Sequence, residues 1–136
     1  MGESRQHIEL VKIAVAYIQS VVPCETRQLV QYDSADTKRP PMVSEHYVPD
    51  VYFWNRDLLI LGEAKTVDDF ERKHSREQFT AYLRECNHFW GQAVLVISLP
   101  WQMVPTAKNY FRRLKRELNC STPVVILNEL GRRFEV

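Results

Sequence analysis

The sequence predicts an α/β domain built on a mixed central sheet, and three observations predict it. An amphipathic run opens the chain, two strand-like runs are separated by only three polar residues, and two further apolar runs are each preceded by helical periodicity. A three-residue connection makes its strands antiparallel, whereas a helix between strands implies a parallel crossover. Both kinds of pairing therefore belong to one sheet.

Between residues 3 and 22 the side chains of Ile8, Val11, Val15, Ile18 and Val22 recur at steps of three and four, with Ala14 and Val21 widening the stripe. A first helix is predicted there, stopped by Pro23. Residues 26–32 alternate weakly and predict a short strand, and residues 33–46, which contain Lys38, Arg39, Pro40 and Pro41, predict an exposed loop. Residues 47–54 are β-branched and aromatic, Asn55, Arg56 and Asp57 break the run, and residues 58–64 are apolar except for Gly62 and Glu63. A hairpin accounts for this pattern.

Asp68 or Asp69 is a candidate cap for a helix over 69–88, with Phe79, Leu83, Cys86 and Trp90 on one buried stripe. Residues 93–99 predict a strand ended by Pro100, 106–118 a helix that is basic on its outer face, and 122–127 a last buried strand. The predicted order is helix, three strands, helix, strand, helix, strand, within a single domain over residues 1–136.

Composition narrows the class of protein without selecting a function. Hydrophobic residues make up 45% and charged residues 26%, the balance of an ordinary globular chain rather than a disordered or fibrous one. The formal charge of +1 conceals an uneven layout, with many of the acids before residue 86 and bases clustered at 108–116 and 132–133. Cys24, Cys86 and Cys120 are far apart and odd in number, which argues against a disulfide framework or zinc ribbon and for a reducing, cytoplasmic setting. Charges at Glu3, Arg5 and Glu9 interrupt what a signal peptide would need, and no apolar stretch is long enough to span a membrane.

The chemistry gathers at the hairpin. Pro49-Asp50 stands where one strand begins and Glu63-Ala64-Lys65 where the next ends, with twelve residues between the two acids, so the turn brings these ends together. Alternation along a strand sends Glu63 and Lys65 to one face and Ala64 to the other. An ionised Glu63 at the end of an apolar strand is costly to leave unpaired. A hard divalent cation offsets that cost: magnesium takes one or two protein carboxylates and leaves coordination positions open for a phosphate oxygen and water. Lys65 could then hold the water or stabilise charge developing at phosphorus.

Pro49-Asp50, the hairpin-length gap and Gly62-Glu63-Ala64-Lys65 resemble the core of the PD-(D/E)xK nuclease superfamily, which includes restriction endonucleases and Holliday-junction resolvases. The likeness covers roughly residues 3–99, with 106–128 as an additional helix and strand. It implies a three-layer restriction-endonuclease-like fold with an α-β-β-β-α-β core. It also implies Mg2+ or Mn2+ held by Asp50, Glu63 and the Ala64 carbonyl, with Lys65 as the catalytic lysine. Gln78 and Tyr82, at i and i+4 on the second helix, resemble the Q-x-x-x-Y element of a subset of these nucleases, in which the glutamine contacts the active site or the substrate backbone. Glu9 resembles the extra acid that many members place on the first helix to complete the metal site, with Glu3 as a competitor.

Arg72, Lys73 and Arg76 precede Gln78 at the mouth of the proposed site, where they could contact phosphates or simply form a solvated face, and Tyr82 is placed with them as a nucleic-acid contact. On the later helix, Lys108, Arg112, Arg113, Lys115 and Arg116 could follow a nucleic-acid backbone, dock a partner or aid solubility. The histidines lack H-x-x-x-H spacing, although His74 is near enough in sequence to contact substrate. The leading expectation is a metal-dependent DNA endonuclease in which Asp50, Glu63, Lys65 and Gln78 are catalytic, acting alone, as a homodimer or in a larger nuclease complex. A catalytically silent nucleic-acid-binding or assembly subunit is the second, and an α/β protein with a structural Asp50, Glu63 and Lys65 ion network the third.

Overall fold

The computed structural model describes residues 4–34, 37–44 and 46–136. Six strands, β1 (Gln31–Tyr32), β2 (Val51–Trp54), β3 (Leu58–Ala64), β4 (Gln92–Ser98), β5 (Val124–Leu127) and β6 (Arg133–Glu135), form one open sheet in which each lies beside its neighbours in sequence. The β1/β2, β2/β3 and β5/β6 pairs are antiparallel, and β3/β4 and β4/β5 are parallel. Among the described residues four α-helices accompany it: α1 (Arg5–Val21), α2 (Val67–Phe70), α3 (Lys73–His88) and α4 (Val104–Glu117).

The sheet divides the core in two. On one face α1 sets Ala14, Val15 and Ile18 against Val51, Phe53, Ile60, Val96 and Val125. On the other, α3 and α4 set Phe79, Leu83 and Phe111 against Leu59, Leu61, Leu95, Ile97 and Ile126. The strand period of two sorts Leu59 and Leu61 from Ile60, so β3 is apolar on both sides, as a central strand covered twice must be. Gly62 lets α1 come close: a Cβ there would lie 3.0 Å from both Ile18 Cδ1 and Val51 Cβ. The helix thus packs directly beside the residue that precedes Glu63.

Asn55 makes the hairpin connection, its Oδ1 accepting the backbone N–H groups of Asp57 and Leu58 at 2.8 Å each. The prediction of β3 holds residue for residue. Other elements shift, each for a local reason. Residues 24–29 form a 3-10 turn rather than a strand, because Thr26 donates both its N–H and its hydroxyl to the Pro23 carbonyl, and only Gln31 and Tyr32 pair with β2. The strand expected from 47 starts at Val51, and Tyr47 instead closes a tight turn with Val43 in which Ser44 takes a left-handed φ of 56°.

The helix expected over 69–88 is broken at Glu71 and Arg72. Thr66, not an aspartate, caps its first turn through the Asp69 N–H. Phe70 turns into the core against Phe79 and Phe111, and the Ser75 hydroxyl takes the Asp69 carbonyl, so the chain restarts as α3. Trp90 is not on the buried stripe: α3 ends at His88, and the indole beyond it is 74% exposed. The sequence gives no apolar alternation for β6, which exists by pairing with β5. Among the described residues no helix is long and apolar enough to cross a membrane.

Candidate active site

The register of β2 and β3 builds the site. Val51 lies opposite Gly62, so continuing the ladder by one residue sets Asp50 opposite Glu63. Asp50 Oδ2 accepts the Ala64 backbone N–H at 2.9 Å, which locks the carboxylate to the strand carrying Glu63. On its other side Asp50 Oδ2 meets His7 Nε2 of α1 at 3.2 Å. Burial pushes the Asp50 carboxyl up, but hydrogen bonds to His7, Glu63 and the Ala64 N–H outweigh it and hold the group below the ordinary aspartate range.

Glu63 and Lys65 share a face, and both reach α3. Gln78 stands between them: Lys65 Nζ donates to Gln78 Oε1 at 2.6 Å, and Gln78 Nε2 donates to Glu63 Oε1 at 2.9 Å. Tyr82, one turn along α3, donates its hydroxyl to the same Glu63 oxygen at 3.0 Å and accepts from Gln78 Nε2 at 3.0 Å. All four side chains are buried, so this polar network sits in a largely desolvated setting and is oriented by α3. Burial, and then the charge of Asp50, drive Glu63 well above the ordinary carboxylate range, with Lys65 acting in the opposite direction. Two neighbouring carboxyl groups whose affinities for a proton are pushed apart have the character of an acid pair sharing one cation or proton.

Asp50, Glu63, Lys65 and Gln78 are therefore brought together, with Ala64 between the two acids at backbone level. Glu9 is not among them. Its side chain is exposed and pairs with Lys12 at 3.5 Å. His7 is the α1 residue that meets Asp50, and Glu9 is two residues, or about 200° of helix, further round. Glu3 lies outside the described residues. Tyr82, expected at the nucleic-acid surface, is instead 0% exposed and bonded to Glu63. Among the described residues no group of three or more His, Cys, Asp or Glu side chains is gathered as for a metal ion.

Arg72, Lys73 and Arg76 are exposed at the start of α3. Arg72 pairs with Asp69 and Lys73 with Glu77, while Arg76 lies over the Tyr110 ring of α4 at 5.7 Å. Two neighbours carried no signal in the sequence. His7 lacks any ligand spacing, and Tyr47 comes to the site through its turn, with its ring 6.3 Å from Tyr82 and 5.5 Å from His74. A cavity of about 850 Å3 opens between α1 and the segment around β1, with Val11, Lys12, Tyr32 and Arg39 on its walls and Asp50 at its edge. No protein-family model, curated protein or solved structure matches this chain.

Proposed function

We propose that the chain is a divalent-metal-dependent nuclease of PD-(D/E)xK type, a DNA endonuclease with a restriction-endonuclease-like fold. The observation that carries this reading is the Asp50 and Glu63 pair, adjacent on two strands, with Lys65 linked to Glu63 through Gln78. The order of elements from α1 through β4, and the parallel crossover that α3 makes between β3 and β4, are in keeping with the α-β-β-β-α-β core of that superfamily.

The donor set fits a hard cation: two carboxylates and a backbone carbonyl, all oxygen, leave room for water and phosphate. Asp50, Glu63 and the Ala64 carbonyl would hold Mg2+ or Mn2+, which when bound supplies Lewis-acid activation and charge neutralisation. The protein's own groups do the rest. Gln78 bridges the Lys65 ammonium and the Glu63 carboxylate by hydrogen bonds, so that Lys65 can orient an attacking water or meet charge developing on phosphate. Tyr82 keeps Glu63 Oε1 in place, and His7 does the same for Asp50.

Purified protein incubated with supercoiled, single-stranded and branched DNA should cleave in the presence of Mg2+ or Mn2+ and not in chelator. Binding without cleavage on every substrate and with either metal would overturn the catalytic reading. It would favour the second one, an assembly or nucleic-acid-binding subunit. That alternative has its own support in a cleft of about 400 Å3 where Met42, Trp54 and Trp90 are exposed beside Phe89, a surface suited to a protein partner.

A further inference from the structure

The protein's near-neutral charge separates into two unequal parts. Residues 104–136 hold seven lysines and arginines against three acids, while the remainder of the chain is net acidic. The structure gathers these bases on the outer side of α4 and on β6. The apolar side of α4, with Val104, Ala107, Phe111 and Leu114, faces the sheet, which leaves Arg112, Arg113 and Arg116 exposed. Lys108 of α4 and Arg132, just before β6, lie over the ring of Phe134 of β6, 5.7 Å and 5.6 Å from its centre, so the two elements meet in one surface.

Lys115 donates to the Val136 backbone oxygen at 3.0 Å, and among the described residues the other bases of this surface have no ion pair. Among the described residues the ion pairs are His7 with Asp50, Lys12 with Glu9, Arg39 with Asp33, Arg72 with Asp69 and Lys73 with Glu77, and none involves α4 or β6. A solvated face that serves only solubility usually mixes both signs. Concentrated, unpaired arginine suits a polyanion whose phosphates match the guanidinium fork. The surface also continues toward the proposed site. Arg76, itself without an ion pair among the described residues, stacks on Tyr110 of α4, whose ring centre lies 6.0 Å from that of Phe79 on α3, and Lys65 Nζ of the site lies 5.8 Å from the centre of the same Phe79 ring.

We infer that the α4 and β6 surface is a backbone-binding platform for duplex nucleic acid, holding the duplex flanking the strand delivered to the Asp50 and Glu63 site. The choice of nucleic acid as the polyanion rests on the nuclease reading. Arg112, Arg113 and Arg116 contact successive phosphates, Lys108 and Arg132 extend the contact to the sheet edge, and Arg76 links the platform to the site.

Binding of a fluorescent duplex, measured by anisotropy in chelator across a salt series, tests the platform apart from cleavage. The triple variant Arg112→Ala, Arg113→Ala, Arg116→Ala should bind about tenfold or more weakly, and the slope of log affinity against log salt should fall by about 2 to 3. All three side chains are exposed, so the thermal midpoint should not move, and Arg27→Ala with Arg56→Ala, elsewhere on the surface, should bind as the unmodified protein does. An unchanged slope in the triple variant would overturn the platform, as would preference for a polyglutamate peptide over duplex, which would mark an acidic protein partner. Loss of duplex binding in the triple variant, together with no metal-dependent cleavage by the unmodified protein, would leave the platform standing and remove the nuclease reading alone.

Discussion

Tyr82 and Glu63, nineteen residues apart, meet through a hydrogen bond of 3.0 Å in which a buried phenol donates to a buried carboxylate. Burial, and then the charge of Glu63, raise the Tyr82 hydroxyl far above its usual range, so it is a permanent donor. Replacing Tyr82 with Phe should lower metal affinity or cleavage by roughly 10- to 100-fold, the usual effect of losing an outer partner of a metal ligand. Stability should fall by about 1–2 kcal/mol, because Gln78 and Glu63 each lose a buried partner. The salt slope of nucleic-acid binding should stay unchanged, since the side chain is buried; a reduced slope would return Tyr82 to the interface.

Asp50→Ala, Glu63→Ala and Lys65→Ala should each reduce metal-dependent cleavage by about 100-fold or more, with far-ultraviolet circular dichroism unchanged. Gln78→Ala should also be strongly impaired, since it orients both Lys65 and Glu63. Cleavage at the unmodified rate in any of the first three removes that residue from the site.

Glu63 gives the metal-free protein a characteristic response to pH. The folded state keeps a proton on Glu63 that the unfolded chain releases above its ordinary value of 4.5. Stability therefore falls as pH rises from there through the raised folded value, and levels off once Glu63 is ionised in both states. Asp50 acts in the opposite direction: its contribution is present above its ordinary value of 3.8 and is lost as acid protonates it. In chelator, the thermal midpoint should decline as pH rises above the ordinary glutamate value, and Glu63→Gln should flatten the decline and melt higher at its alkaline end. A midpoint that rises over this range would contradict the assignment.

Added Mg2+ or Mn2+ should reverse that loss. At a hundredfold excess over Kd the expected gain is about 2.7 kcal/mol, read as an upward shift in thermal midpoint that Asp50→Asn or Glu63→Gln removes. An equal shift in those variants would place the ion elsewhere.

Gly62→Ala tests how α1 is seated. The new methyl would meet Ile18 and Val51 at 3.0 Å, and the overpacking should cost about 1–3 kcal/mol in chemical denaturation. A neutral result would mean that α1 shifts to make room.

Local sequence determined much of this protein. The β3 run, the Asn55 turn and the spacing of Asp50, Glu63 and Lys65 were legible because strand alternation, a polar break and side-chain chemistry act over a few residues. The Gln78 and Tyr82 spacing was legible as a shared helix face, but its role was not: whether that face turned toward solvent or toward Glu63 depended on how α3 packed across the sheet. For the same reason Glu9 read as a plausible ligand while His7 did not, since only the rotation of α1 over Gly62 decides which side chain meets Asp50. The 3-10 turn after Pro23, the break at Glu71 and the pairing of β6 also required tertiary structure. Sequence carries short-range periodicity, whereas these features depend on partners many residues away, whose packing overrides weak local preference.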